Sequence, residues 1–343
     1  MQYLKTVVGL DISENTFVTR IGSLNTELVQ YISNAFSFTN DMKGFKKLLS
    51  WIRKMCQNLG IPSNMEINFV MEATGVYYEN LAYFLSEENK FVSVILPNKI
   101  KNYSKTLENK SKTDDIDSAN ITQFGLERTL KRWEVPSPEL RKLKELSREY
   151  QHIKKATTSI KNQIHAKEHS HLPVKETLKR LREQLKLYNY QSKQIKNQIG
   201  ELINQNSDLN SRINNILSIK GVGLMTIISV LAETNGFSLI KNSKQLVSYA
   251  GLDVVHRQSG KSENRTSISK KGNKFLRNTL YMPALCACRS NEVLKNIYIK
   301  LCIRKNYKKI GIIAVARKLL ILIYTLWKNN STFIPNYESL RSA

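Results

Sequence analysis

Val7-Val8-Gly9-Leu10-Asp11 is the stretch whose reading decides the fold. It lies within the run Tyr3 to Ile12, which reads as a buried strand that carries an acid near its end. A second apolar run leads into Val70-Met71-Glu72-Ala73-Thr74-Gly75. A third string, Lys112-Thr113-Asp114-Asp115-Ile116-Asp117, opens a helical pattern. Asp114 and Asp117 are three apart, so both project from one helical face, whereas Asp115 points away from the pair. Carboxylates crowded together repel and normally persist as a group only around a cation. A ligand set made of oxygen alone favours a hard ion, Mg2+ or Mn2+. Such an ion suits chemistry on phosphate.

Working outward, residues 1 to about 130 alternate strand and helix signals. Tyr3 to Ile12 is expected as a strand, with Thr16 to Ile21 and Glu27 to Asn34 as hairpin partners joined through Gly22-Ser23. An amphipathic helix follows over Asp41 to Leu59, capped by Asn40 or Asp41. Next come a strand at Ile67 to Met71, a helix at Tyr77 to Ser86, a strand at Phe91 to Leu96 stopped by Pro97, and a helix at Lys112 to Leu130. Three antiparallel-capable strands and then helix, strand, helix, strand, helix is the order of an RNase H-like (RuvC-like) α/β domain. In that architecture the ends of strand one and strand four and a late helix converge, and the acids fall at those places.

Trp133 to Pro138, with two prolines, reads as a linker. Beyond it Leu140, Leu143, Leu146 and Tyr150, then Leu178, Leu181 and Leu185, then Ile195, Ile199 and Leu202 recur at three- and four-residue steps. They form the seam of long helices broken near His171-Leu172-Pro173. An antiparallel helical hairpin is expected, serving as a spacer or for nucleic-acid grip or dimerisation, of which dimerisation is preferred. The resulting domain boundaries are 1–132, 133–210 and 211–343, the last mainly helical. In this last part Ile219-Lys220-Gly221-Val222-Gly223 enters an apolar helix, the form of a helix-hairpin-helix element whose amides at Gly221 and Gly223 can hold a DNA phosphate. A lone Gly-Val-Gly is also what an ordinary tight turn looks like.

The 343 residues carry 53 Lys+Arg against 28 Asp+Glu, a formal net charge of +25, which points to a polyanionic partner. Drift toward Lys and Asn in an AT-rich genome accounts for some of that excess. Cys56, Cys286, Cys288 and Cys302 lack metal-ligand spacing and read as reduced, small buried hydrophobes. No charged-then-apolar leader opens the sequence, so no signal peptide and a cytoplasmic protein are expected. Ile310 to Trp327 is interrupted by Arg317 and Lys318 and reads as a packed helix, not a membrane span.

The most chemical-looking loop runs from Ala250 to Lys261, with His256-Arg257-Gln258-Ser259-Gly260-Lys261 at its end, and is followed by Ile268-Ser269-Lys270-Lys271-Gly272-Asn273. A serine before a glycine, flanked by Arg257, Lys261, Arg265, Lys270, Lys271 and Arg277, suits attack on a phosphodiester. The cations would neutralise charge building in the transition state. From the residues alone, a solvated basic turn that at most contacts phosphate is the commoner meaning of such a string.

Both halves resemble one family. The strings around Asp11, Glu72-Ala73-Thr74-Gly75 and Lys112-Thr113-Asp114-Asp115-Ile116-Asp117 resemble the DEDD-type insertion-sequence transposases, the group with a RuvC-like N-terminal domain that includes the Piv-type invertase. Ile219 to Gly223, Tyr249-Ala-Gly-Leu252, Arg257 to Gly260, Ile268 to Asn273 and Leu276-Arg277 look like that family's second domain. The resemblance covers nearly the whole chain in order. It implies a site-specific DNA recombinase guided by an element-encoded bridge RNA that pairs with donor and target DNA. It also implies a magnesium-binding tetrad of Asp11, Glu72, Asp114 and Asp117, and Ser259 as the nucleophile that forms a phosphoserine link and frees a 3′-hydroxyl. Family members build a composite site from the tetrad of one subunit and the serine of another, so a dimer assembling to a tetramer is implied.

Two other readings use the same residues: a metal-dependent junction-type nuclease working with the tetrad alone, and a non-catalytic nucleic-acid-binding protein. Under any of the three, the basic balance predicts that affinity for nucleic acid falls steeply as salt rises, since phosphate contacts release counterions. Filter binding at a series of salt concentrations checks this, and a flat response would count against the charge argument.

Overall fold

The computed structural model describes residues 2–73, 75–107, 113–238, 240–255, 258–259, 262–263, 267–305 and 307–335, with the side chains of 258, 259, 262, 263 and 305 outside that description. The chain divides into two compact units, Met1–Val135 and Pro136–Ala343.

The first unit contains β1 (Tyr3–Ile12), β2 (Thr16–Asn25), β3 (Gln30–Ile32), β4 (Phe36–Thr39), α1 (Met42–Leu59), β5 (Ile67–Glu72), α2 (Glu79–Glu87), β6 (Phe91–Ile95), α3 (Pro97–Ser104) and α4 (Asp114–Glu127). Its sheet has the order β3-β2-β1-β5-β6, with β4 also paired to β2. β1 and β2 are antiparallel, whereas β1, β5 and β6 run parallel. This is the RNase H-like arrangement. β1 is central, and Val7, Val8 and Leu10 are fully buried from both faces of the sheet. Val8, Leu10 and Ile12 point into the core beneath α1 with Phe17, Phe69 and Met71. Val7 and Val70 point the other way, into the core that Ile121, Phe124 and Leu126 of α4 complete.

Small residues set how closely α4 approaches the sheet. A Cβ on Gly9 would stand 2.1 Å from the Thr122 hydroxyl and 2.9 Å from the Ser118 carbonyl, and one on Gly22 would stand 2.7 Å from the Thr122 methyl. From the helix side, a Cβ on Gly125 would stand 2.6 Å from Val7 and 3.0 Å from Val70. Lys5, at the start of β1, donates its ammonium to the Arg128 carbonyl at 2.6 Å and to Gly125, closing the C-terminal end of α4. Burial lowers that ammonium's pKa.

Two sequence expectations need correction. Gly22-Ser23 is not a turn: β2 runs through it to Asn25, because Gly22 is needed where α4 crosses the strand. The chain reverses at 26–29, where the Asn25 side chain accepts from the Glu27 and Val29 amides at 3.1 and 2.8 Å and Leu28 takes φ 62°. The strand expected over Glu27 to Asn34 shrinks to β3. β4 follows it, so the acid-bearing Glu72 closes the fifth strand instead of the fourth. Pro97, read as a stop, begins α3 as a first-turn proline. Asp41 caps α1 by accepting from the Gly44 amide at 2.7 Å. That bond, with the Thr39 hydroxyl, holds its carboxyl below the usual range.

The second unit begins with α5 (Pro138–Glu168) and α6 (Lys175–Asn204), an antiparallel pair with an Arg182–Glu168 ion pair near its tip. α7 (Ser207–Leu217), α8 (Leu224–Glu233) and α9 (Ser243–Ala250) follow. Then come the short strands β7 (Val254–Val255), β8 (Gln258–Ser259), β9 (Ser262–Glu263) and β10 (Ser267–Ile268), and finally α10 (Lys274–Ser290), α11 (Glu292–Lys305) and α12 (Lys308–Asn329). Leu143, Leu146, Ile153, Ile195 and Ile199 of the long helices share one core with α8, α10 and α12. α12 is largely apolar between its terminal lysines apart from Arg317 and Lys318, and Ile312, Val315, Ala316, Leu319, Leu320 and Ile323 spend that character on this core. Of the cysteines, Cys288 is buried as expected, Cys56 and Cys302 are half-buried, and Cys286 is exposed.

Adding a methyl at Gly9 is expected to push α4 off the sheet and cost about 3 kcal/mol, as overpacking does. Gly200→Ala, in the interior of α6 with open space around it, should instead gain up to about 1 kcal/mol. Urea unfolding of the two variants checks both signs.

Candidate active-site residues

The first unit places its acids by register. Leu10 pairs with Met71 across the parallel β1–β5 ladder, so Asp11 and Glu72 come next to one another at the carboxyl ends of adjacent strands. Side chains alternate along a strand. Val7 and Gly9 face α4, so Asp11 faces α4; Val70 faces α4, so Glu72 does too. α4 runs antiparallel to β1, since Gly125 lies on Val7 while Ser118 and Thr122 lie on Gly9. Its first turn, with Asp114 and Asp117, therefore comes at the end of the sheet where Asp11 and Glu72 stand. Thr113 caps that turn, its hydroxyl accepting from the Ile116 amide at 3.3 Å.

Asp115 is the odd acid. It turns toward β2 and forms an ion pair with Arg20 at 2.5 Å, while the guanidinium also donates to the Ser33 carbonyl. Asp11, Glu72 and Asp117 are half-buried and Asp114 is exposed. Among the described residues no three acids, histidines or cysteines stand close enough together to hold one ion. The donor set at this sheet edge is nonetheless carboxylate oxygen, the chemistry that a hard divalent cation takes. Thr74 and Lys112, which belong to the acid-bearing strings, lie outside the described residues.

In the second unit Ser259 lies in a nested hairpin. β7 pairs with β10 at the base, and beyond it Ser259 pairs with Ser262 in the β8–β9 ladder. The base is clamped: the Ser269 hydroxyl donates to the Asp253 carboxylate at 2.6 Å and the Ser269 amide to the Asp253 carbonyl at 2.9 Å. His256, Arg257, Gly260, Lys261 and Arg265 lie outside the described residues.

Beneath the hairpin the motif strings lock together. A Cβ on Gly272 would stand 2.4 Å from the Tyr249 carbonyl and 2.7 Å from the Gly251 amide. Asn273 caps α10 through its carbonyl oxygen, which accepts from Leu276, and donates its amide to Glu233 at 2.6 Å. Glu233 is almost fully buried. Arg148 grips it in a fork at 2.6 and 3.0 Å and also lies over the Phe275 ring. The Tyr249 hydroxyl donates to the Glu233 carbonyl at 2.9 Å, and burial pushes that phenol's pKa up. Sequence reading passed over both Glu233 and Arg148. The signal that could have found Glu233 is an acid at the end of a wholly apolar helix, Leu224 to Glu233.

The expected phosphate contacts divide. Lys270 and Lys271 are exposed at the foot of the hairpin. Arg277 donates to the Ala250 carbonyl at 2.8 Å, closing α9. Gly223 begins α8 with open space around it, whereas Gly221 takes φ 96° with Ala287 of α10 so near that a Cβ would stand 2.8 Å from its backbone. Gly221 is thus fixed by helix packing.

Residues 8–173 match a DEDD-type IS110 model described as transposase, and residues 213–299 match one described as transposase, IS116/IS110/IS902 family. An RNase H-like sheet with these acids, joined to that second domain, defines a DNA transposase or recombinase. The pilin gene-inverting proteins of Moraxella bovis and Moraxella lacunata are each 30% identical over 336 residues, 96% of this chain and 98% of theirs. The chain belongs to the IS116/IS110/IS902 transposase family. The transposase of insertion sequence element IS1111A from Coxiella burnetii is 30% identical over 121 residues, 34% of this chain and 33% of that protein. T. thermophilus RuvC in complex with a Holliday junction substrate covers 37% of this chain and 99% of its own, at 10% identity and a TM-score of 0.26.

Arg148→Met leaves the Glu233 carboxylate buried without its counter-ion and is expected to cost about 3–5 kcal/mol. Glu233→Gln keeps an acceptor for Asn273 and should cost less, about 1–2 kcal/mol. Chemical unfolding of the two variants checks the order, and equal losses would overturn the assignment of a buried charge.

Proposed function

We propose that this transposase is a site-specific DNA recombinase that cuts and rejoins strands through a phosphoserine link at Ser259, acting on donor and target DNA chosen by an element-encoded bridge RNA. The observation that carries the cutting chemistry is that Asp11 and Glu72 each follow the last pair, Leu10 with Met71, at the carboxyl ends of neighbouring parallel strands, with the first turn of α4 at the same end. Asp11, Glu72, Asp114 and Asp117 would hold Mg2+ or Mn2+, which DEDD-type nucleases generally use and which polarises a phosphate oxygen when bound. The Ser259 oxygen attacks phosphorus, the bond to the 3′ oxygen breaks, and a 3′-hydroxyl leaves. Rejoining is the reverse, with another strand's 3′-hydroxyl displacing the serine, so the bond energy is kept. Gly223, Arg257, Lys261, Lys270 and Lys271 supply amides and cations for DNA phosphates, while Gly221 and Arg277 hold the frame that presents them. The long α5–α6 pair serves subunit assembly, as a dimer that doubles to a tetramer in which one subunit's acids meet another's serine.

The Moraxella proteins are named for inverting a pilin gene, and the coverage of 98% of those proteins supports a recombinase reading for this chain. A recombination assay in cells, supplying the protein with its flanking noncoding DNA, tests the reading. Asp11→Ala and Ser259→Ala should each abolish recombination and leave nucleic-acid binding near normal. Continued strand joining by the serine variant would overturn the covalent mechanism, and continued cleavage without joining, with no protein–DNA adduct in the wild type, would leave the tetrad-only nuclease in its place.

A further inference from the structure

A row of aromatic rings runs from the core of the first unit to its surface. Phe45 lies 6.2 Å from Phe17, Phe17 stacks on Phe38 at 5.6 Å, and Phe38 lies 5.1 Å from Phe36. Phe36 in turn stacks on Trp51 at 5.6 Å with the ring planes 29° apart. The row does not end in apolar contact. Phe36, on β4, is 50% exposed. It forms with Trp51 the floor of a shallow groove of about 430 Å³ whose other lining residues are Lys43, Lys46, Lys47, Ser50 and Lys54 of α1. These positions recur at three- and four-residue steps, so the lysines stand in one stripe beside the rings. α1 carries four lysines and an arginine and no acid. Lys46, Lys47 and Lys54 are exposed, and none of the ion pairs among the described residues involves them.

We propose that this groove binds unpaired, single-stranded nucleic acid, with one base stacked on Phe36 and Trp51 and the flanking phosphates on the lysines of α1. An exposed aromatic ring, Phe36, backed by the half-buried Trp51, and a cationic stripe beside it are the two elements by which single strands are held without regard to sequence. A protein partner would be drawn to the rings but would have to neutralise four adjacent lysines, and a duplex hides the base faces that the rings would use. The groove lies on the α1 side of the sheet, the face opposite the one to which Asp11 and Glu72 point. The site is therefore separate from the cutting chemistry and stands whether or not Ser259 is the nucleophile. Stacking reads the flat face of any base and the lysines read phosphate, so RNA and DNA strands of one sequence should bind alike.

The test uses the full chain and 5-iodouridine-bearing single strands, as RNA and as DNA, photocrosslinked and mapped by mass spectrometry. The crosslink should fall on the tryptic peptide Leu48–Arg53, which contains Trp51, or on the peptide that contains Phe36. In parallel, Phe36→Leu should weaken single-strand affinity about tenfold while Phe36→Tyr retains it. Replacing Lys46, Lys47 and Lys54 by Gln should reduce the salt slope by about 2. The proposal is overturned if neither peptide crosslinks, if the leucine variant binds as wild type, or if a duplex of equal length competes as well as a single strand. A leucine variant that changes oligomeric state but not nucleic-acid binding would assign the face to a second copy of the chain. Loss of recombination in Ser259→Ala bears on none of these readouts, so the two readings fail separately.

Discussion

Everything at the acid-bearing end of the first unit depends on how closely α4 is seated on β1 and β2. Ile121, Phe124 and Leu126 give the contact its apolar face, and glycines and short hydroxyl side chains set its closeness. Gly9 admits Ser118 and Thr122, Gly22 admits Thr122 again, and Gly125 admits Val7 and Val70. Packing of this kind fixes the helix along its axis as well as in distance, because each notch accepts only the residue opposite it. A slip of one residue would carry Asp114 and Asp117 about 1.5 Å along the sheet and rotate both away from it. The seat therefore sets where two of the four acids stand, and the β1–β5 register sets the other two.

The second unit solves a comparable problem with polar groups. Four pieces of chain far apart in sequence, α5, α8, α9 and the start of α10, are joined around the buried Glu233 by Arg148, Tyr249 and Asn273. An ion pair of this type adds little net stability over an apolar replacement, but leaving the buried Glu233 carboxylate alone is costly, whereas Arg148 is partly exposed. Its value here is positional. Above it, the Asp253–Ser269 clamp holds the base of the hairpin that carries Ser259.

Much of this was legible in the sequence where pattern and burial coincide. β1 reads correctly from Tyr3 to Ile12 because a strand buried on both faces leaves a continuous apolar run, and α1 reads correctly because its apolar stripe and Asp41 cap agree. The β2 turn was misread because glycine signals both a reversal and a close approach, and at Gly22 the second meaning holds. Gly221, read as a phosphate-binding amide, also makes a close approach, taking φ 96° against Ala287. β4 and α3 were missed since four residues and a proline start give little periodicity. Glu233 and Arg148 stayed hidden because 85 residues separate two charges that only the folded chain brings together. The acids at 11, 72, 114 and 117 were visible as strings, but that Asp11 and Glu72 end neighbouring strands, and that α4 starts at the same end of the sheet, follows only from register and helix direction.

Asn273 carries one more implication. Its oxygen caps α10 and its nitrogen faces a carboxylate, so the two ends of one amide answer to opposite demands. Aspartate, ordinarily an equal helix cap, would set a second negative charge against Glu233 at hydrogen-bond distance. Conversion of this one amide to a carboxylate would thus preserve the start of the helix while setting two negative charges between the elements that meet there, a cost that an asparagine capping a helix in open solvent would not carry.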